Sequence, residues 1–437
     1  MPRRPHHSPL RVLLNNRSVG RLHKASNGAI SFAYDRSWLD WPHTFPVSLA
    51  LPLREDPYHG AAVTAVFENL LPDAEALRLR VATRVGADGT DAYSLLSAIG
   101  HDCVGALQFL PEDAPVDGDS TAIEGEFVDD DDIERTLQGL AQAPLGLRRD
   151  EAFRISIAGA QEKTALLHHE GHWLKPSGTT PTSHILKPPI GRLSNGMDLS
   201  DSVENEFYCL RLAAAFGMPV NQATIHKFGR TRALVITRFD RHWTRDGRLL
   251  RLPQEDCCQA LSIPPTRKYQ TEGGPGIADL IDLFAGSDAP IQDQSMVLKA
   301  QVLFWLIGAT DGHAKNFSLF LRPGGSFSLT PLYDILTLQP SLESRQIERK
   351  QMRLAMAVGR KNRYKIHEIQ GRHFLQTAAA AGLPATLARQ AIDEFVAQAD
   401  NAIRRVEQEL PDDFPANIHE SVKRAVANRL RTLQATL

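Results

Sequence analysis

A chain of 437 residues, 42% hydrophobic and 23% charged, has the make-up of an ordinary globular protein and the length for two or three packed domains. Its net charge of -2 excludes a polycation that coats nucleic acid unselectively, so any DNA contact has to come from a local basic patch or a partner. Four scattered cysteines, none in a Cys-x-x-Cys pair, exclude a disulfide framework and a cysteine zinc centre.

The basic N-terminal stretch lacks the apolar core of a secretion signal. The longest apolar run, 302–309, is far below membrane-spanning length, so the expected location is the cytoplasm, with no membrane partner. Residues 11–53 read as strands: Asn15-Asn16 makes a turn between two short apolar runs, and Ile30 to Tyr34 alternates. From 61 to 107 the pattern is helical, interrupted by ENLLPD (68–73) and IGHDCVGAL (99–107). The stretch 111–132 is acidic, rich in Pro, Gly and Ser, and ends in four aspartates. It is predicted to be a solvated loop capping a helix that begins near Ile133. Segment 150–260 mixes short strands with one helix at 201–216, and 223–239 reads as two strands around a glycine turn. From 277 onward the chain is mainly helical, including the very apolar 296–309 and long amphipathic segments from 373. The order predicts an α+β fold, a two-lobed body with a strand-rich N-terminal subdomain in front and a mainly helical C-terminal lobe.

The chemistry-bearing residues cluster in ATDGHAKN (309–316). Asp311 precedes Asn316 by five positions, and Asp334 follows in TPLYDIL. Phosphoryl transfer uses such a set: one carboxylate orients the attacking hydroxyl and takes its proton, while an amide and a second carboxylate hold magnesium. The spacing is that of the protein-kinase catalytic and metal loops, although Asp-x-x-x-x-Asn alone is common in turns and helix caps. Lys187 ends the short strand SHILK, where a kinase lysine would meet the α- and β-phosphates of ATP. The next helix offers Glu204 and Glu206 as its partner, and Glu206 shares a face with Leu210 and Ala213. Upstream, Ala158, Gly159 and Ala160 are small enough for backbone amides to approach a phosphate, and Lys163 adds charge. Five pieces in kinase order are far more specific than any one of them.

Over residues 11 to 420 the chain closely resembles the HipA family of serine/threonine kinase toxins. The resemblance is carried by ENLLPD, FRISIAGAQEKTALL (153–167), RLPQEDCCQ (251–259), EGGPGIA (272–278), WLIGATDGHAKNFS (305–318), LTPLYDI (329–335) and RHFL (372–375). It implies a protein-kinase-like body that holds ATP in an inter-lobe cleft: an N-terminal subdomain over 1–110, an acidic linker and helix over 111–150, and a kinase-like domain over 151–437. By matching position, Asp311 is the catalytic base, Asn316 and Asp334 are the Mg2+ ligands, and Lys187 grips the phosphates. Ala158, Gly159, Ala160, Gln161, Glu162 and Lys163 form the phosphate loop, with His313, Tyr333 and Asp334 at the nucleotide. The hinge Thr237-Arg238-Phe239 meets adenine through backbone groups, and Ser156 is the inhibitory autophosphorylation site.

The family resemblance further implies an aminoacyl-tRNA synthetase substrate such as glutamate–tRNA ligase, growth arrest and persistence. The implied partners are a HipB-like helix-turn-helix antitoxin dimer and, mainly through it, operator DNA. Two departures stand out. Thr237 occupies a commonly acidic hinge position, and QTAAAAGLP (376–384) carries no charge where a relative presents basic residues to operator phosphates. Arg345, Arg349, Lys350 and Arg353, or 360–365, are the alternative basic clusters. Two rival functions remain at this stage. A small-molecule kinase of the aminoglycoside-phosphotransferase type would put phosphate on a sugar rather than on protein. A non-catalytic corepressor would show no single-turnover ATP hydrolysis.

Overall fold

The computed structural model describes residues 7–114, 123–148 and 151–437. It divides into two compact units, one containing the chain up to 188 with 226–266 and 319–326, the other 189–225, 267–318 and 327–437.

In the first unit an antiparallel sheet runs in the order Tyr58–His59, Ile30–Tyr34, Arg17–Lys24, Leu10–Leu14, Leu107–Pro111. Asn15 and Asn16 both take positive φ (46° and 67°), the conformation of a tight hairpin turn whose twist matches its strands. The expected strand character of 11–53 stops at Tyr34. Arg36–Leu39 is a helical turn, and prolines at 42, 46 and 52 remove the donors a ladder would need. That segment instead folds over Trp38, which is 1% exposed and donates from its indole to the Phe45 carbonyl (3.0 Å). Helices Ala61–Glu68, Glu75–Val85 and Ala92–Ile99 follow, as the pattern of 61–107 predicts. Phe67 packs between the rings of Phe32 and Phe109.

The acidic stretch departs from expectation. Residues 115–122 lie outside the described residues, but Gly125–Val128 is a strand paired with His172–Pro176. The helix begins at Asp130 rather than near Ile133. Asp129 caps it by accepting from the Asp132 amide, and Asp132 accepts in return from the Asp129 amide. The aspartates therefore form the first helical turn, where carboxylates are stabilised by the amide dipoles, instead of a loop before it.

Beside that helix, strands Thr231–Thr237, His184–Lys187, Thr164–His169, His172–Pro176 and Gly125–Val128 lie side by side. Their core is Ile133, Leu137, Leu166, Leu186, Phe228 and Val235. The glycine turn predicted within 223–239 is Gly229, at φ +56°. A Cβ there would lie 2.2 Å from the Glu134 carboxylate, which accepts instead from the Arg230 amide (2.8 Å).

The second unit is built on helices Ser202–Ala215, Ile277–Phe284, Pro290–Ile307, Gly371–Ala380, Ala385–Glu409 and Ala416–Ala435. Pro290–Ile307 starts with proline in its first turn and stops at Gly308, at φ +75°, the usual punctuation of a helix. Its last part, residues 302–307, is apolar on every side and buried accordingly. Phe216 stacks on Phe395 with centroids 4.2 Å apart, and the Trp305 indole donates to the Ile366 carbonyl (2.9 Å). A hairpin of Arg353–Val358 with Arg363–Lys365 interrupts the helical pattern. Among the described residues no helix is long and apolar enough to cross a membrane.

Candidate active site

The loop after Pro290–Ile307 is held at its start. Leu338 donates to the Gly308 carbonyl (3.0 Å) and Ala309 pairs with Thr337. Thr337 is gripped by Asn205, whose side chain donates to its carbonyl and accepts from its amide, both at 2.9 Å. Within the loop, a Cβ on Gly312 would stand 2.3 Å from the ring of Phe304, itself 3% exposed. Glycine is required there to let the loop lie on the helix. Gly312→Ala is expected to cost about 1–3 kcal/mol by overpacking and to lower transferase activity. Urea unfolding and an activity assay together check this, and wild-type values in both would refute it.

Asp311 is the exposed end of this loop, its side chain 56% accessible. Its carbonyl accepts from the Asn316 side-chain amide (2.8 Å) and from the His313 amide (2.8 Å). Because a carbonyl can accept only from the NH2, that bond fixes the orientation of the Asn316 amide and makes Oδ1 the atom it can offer a cation. The Tyr269 hydroxyl donates to Oδ1 of Asp311, and its ring stands edge-on to His313, centroids 4.9 Å apart. His313 is 3% exposed, with Nε2 4.0 Å from the same Asp311 oxygen.

Asp334 sits at φ +57°, a left-handed conformation uncommon outside glycine but tolerated by aspartate. The preceding Tyr333 pins its segment to the first loop. Its hydroxyl donates to the Lys315 carbonyl (2.9 Å) and lies 2.6 Å from Ser318 Oγ, while Thr330 donates to the Ser318 carbonyl (2.9 Å). Asp311, His313, Asn316, Tyr333 and Asp334 thus belong to two joined loops. The Asn316 amide oxygen and the Asp334 carboxylate are hard oxygen donors, the type magnesium takes.

The first unit holds the other predicted residues. Ser156 is fully buried, its amide donating to the Asp102 carbonyl (2.9 Å) and its hydroxyl to the Leu70 carbonyl (2.8 Å). Pro72 bridges Gly159, and the Asp73 amide donates to the Gly159 carbonyl (3.3 Å). ENLLPD is therefore the holder of the 156–159 segment. Gly159 takes φ +110°, and a Cβ there would come within 2.6 Å of Lys163 Nζ, which donates to the Ala158 carbonyl (2.9 Å). Ala160 is exposed; Gln161 donates to the Pro188 carbonyl (3.3 Å), and Glu162 faces Arg80 at 3.5 Å. Lys187 is 5% exposed, opposite Leu234 in the sheet. Glu206, 1% exposed, lies on Ser202–Ala215 in the other unit, as does the buried Glu204.

At Thr237-Arg238-Phe239 the structure adds something the sequence did not signal. Thr237 is exposed and Phe239 packs edge-on against Phe320. The Arg238 amide is committed to the Ser183 carbonyl (2.9 Å), and its side chain is buried in an ion cluster. Asp102 stands at the centre, meeting Arg241 and Arg251 at 2.8 Å and Arg238 at 3.2 Å, with Thr182 donating to it at 2.7 Å. Asp240 pairs with Arg238 at 2.7 Å. Burial works to raise the Asp102 carboxyl, but Arg241, Arg251 and Arg238 overcome it and hold the group well below the usual carboxylate range. A lone aspartate inside the apolar IGHDCVGAL was the available hint.

A small-residue loop and a buried strand lysine in one unit, with an Asp–Asn–Asp set on joined loops in the other, are the parts protein kinases use. The HipA-like C-terminal domain family matches residues 155–403, and the HipA N-terminal domain matches 10–110. Y4mE of Sinorhizobium fredii is 35% identical over 408 residues, spanning 92% of this chain and 93% of its own. The serine/threonine-protein kinase toxin HipA of Shewanella oneidensis is 30% identical over 333 residues, 73% of this chain and 72% of its own. A solved complex of Shewanella oneidensis HipA with HipB and operator DNA superposes with a TM-score of 0.79 at 25% identity, over 97% of both chains. The chain belongs to the HipA family of serine/threonine-protein kinase toxins.

Proposed function

We propose that this kinase transfers the γ-phosphoryl group of ATP to a serine of an aminoacyl-tRNA synthetase, glutamate–tRNA ligase foremost, and so arrests growth. The observation that carries the reading is the exposed Asp311 carboxylate on a loop joined to that of Asp334, with the Asn316 amide oriented beside it. In this reading Asp311 orients the serine hydroxyl and accepts its proton. The serine oxygen bonds to the γ-phosphorus as the bond to the β,γ-bridging oxygen breaks, and ADP leaves. Asn316 and Asp334 would hold Mg2+, which when bound neutralises charge on the phosphates. Lys187 would contact the α- and β-phosphates, and the amides of 158–163 the terminal ones. Phosphoproteomics after induced expression, comparing wild type with Asp311→Ala, tests the substrate. A synthetase phosphoserine seen only with the wild type supports the reading, and an unchanged phosphoproteome sinks it.

A HipB-like antitoxin dimer would neutralise the kinase and carry it to operator DNA, as the solved assembly of the Shewanella protein with HipB and operator DNA suggests. The uncharged 376–384 segment favours DNA contact mainly through the antitoxin.

Ser156 would be the autophosphorylation site that switches the enzyme off. Its hydroxyl now donates to a carbonyl in a buried pocket. A phosphoester loses that donor and adds about -1.5 to -2 charge facing the carbonyl, so the segment has to leave. Phosphorylated enzyme is expected to bind ATP at least about tenfold more weakly and to be cut by protease near 153–163. Equal ATP affinity and equal cleavage of the two forms would refute the switch.

A further inference from the structure

We propose that Tyr269 is a positioning residue for phosphoryl transfer, its phenol fixing the Asp311 carboxylate in the rotation that meets the acceptor hydroxyl. The proposal rests on the reading of Asp311 as the base. The terminal torsion of a carboxylate is broad and roughly two-fold. A donor on one oxygen selects one orientation. The Tyr269 hydroxyl donates to Oδ1, and His313 Nε2 stands 4.0 Å from that same oxygen. Both groups converge on one side of the carboxylate while the side chain stays 56% exposed on the whole. Reaction rate is steeply sensitive to such orientation.

The turn that carries Tyr269 is clamped. Its carbonyl accepts from the Glu272 and Gly274 amides, both at 3.0 Å. A Cβ on Gly274 would lie 2.0 Å from the Arg267 carbonyl oxygen and 2.8 Å from that of Tyr269, so only glycine lets the turn close. The adjacent Gln270 accepts from the Ala357 amide (2.6 Å), tying the turn to Arg353–Val358. A Cβ on Gly276 would come within 2.6 Å of the same Gln270 side chain. On the other side the Tyr269 ring rests edge-on against the buried His313. Beyond that ring contact, the hydroxyl donates to Asp311.

Tyr269→Phe keeps the ring and removes the hydroxyl. With wild-type protein and a phosphoacceptor protein, kcat is expected to fall roughly 10- to 100-fold, the scale of a lost hydrogen bond to a charged group. The KM for ATP, ATP affinity by calorimetry and the urea midpoint should stay at their wild-type values. Because Tyr269 acts through Asp311, adding Tyr269→Phe to Asp311→Asn should lower the residual rate no further. Wild-type kcat in folded Tyr269→Phe overturns the proposal, as does a parallel loss of ATP affinity or a full multiplicative loss in the Asp311→Asn background. A fully active Asp311→Ala enzyme would overturn the base assignment and this proposal with it. An inactive Asp311→Ala beside a fully active Tyr269→Phe overturns this proposal alone.

Discussion

Asp311→Ala is expected to lower phosphorylation in trans by about 10²–10⁴-fold, the range for removing a general base, and to abolish toxicity while ATP binding persists. The residue stands 56% exposed at the end of a loop whose geometry depends on its backbone: the Asp311 carbonyl, not its carboxylate, receives Asn316 and His313. Truncating the side chain therefore leaves these two hydrogen bonds of the loop in place. The Tyr269 hydroxyl loses its acceptor, but at a site open enough for water to replace it. Turnover measured at saturating ATP, with nucleotide affinity by calorimetry and a urea unfolding curve, separates loss of chemistry from loss of fold. Near-normal turnover in the folded variant would remove Asp311 from the reaction.

Asp102→Ala is expected to be among the most destabilising substitutions in the chain, by about 3–5 kcal/mol, because breaking a buried ion pair leaves uncompensated charge behind. Three guanidinium groups, those of Arg238, Arg241 and Arg251, converge on this one carboxylate, and Asp240 alone cannot neutralise them. All of these side chains are less than one-tenth exposed. The pH dependence follows in sign. For Asp102 and Asp240 burial acts to raise the carboxyl, and the neighbouring arginines outweigh it, so both titrate below the ordinary range. A depressed folded value contributes stability that is present above the unfolded value of about 3.9 and is lost as pH falls through the folded values. Urea unfolding of the wild type should show a steep loss below about pH 4, and Asp102→Asn should be weaker at neutral pH with a shallower acid limb. A loss under about 1 kcal/mol for Asp102→Ala at pH 7 would place it among average substitutions and contradict this account.

The cluster also explains what the hinge arginine does. Arg238 is legible in the sequence as part of a short segment after a strand, but its side chain reaches Asp102 across 136 positions of chain. The same contrast runs through the molecule. Asp311 and Asn316 lie five residues apart in one turn, and the helix before them advertises itself by unbroken apolarity and a terminal glycine. The Asn15-Asn16 hairpin and the turn at Gly229 are likewise local facts, set by which residues accept positive φ.

Elsewhere local pattern misled. The segment after Tyr34 is apolar enough to suggest strand, yet its prolines forbid a ladder and it closes over Trp38 instead. The aspartates at 129–132 suggested a loop because composition does not distinguish solvated charge from charge that caps a helix.

The sequence by itself determined the spacing of Asp311 and Asn316, the apolar helix before them and the hairpin turns, since spacing within a turn and backbone preference act over a few residues. Only the tertiary structure decided that ENLLPD seats Ser156, that Asp102 gathers three arginines, and that Tyr269 reaches Asp311. Those contacts close over 86, 136 and 42 positions. At such distances no periodicity links the partners, and only the packing of the intervening elements brings them within hydrogen-bonding reach.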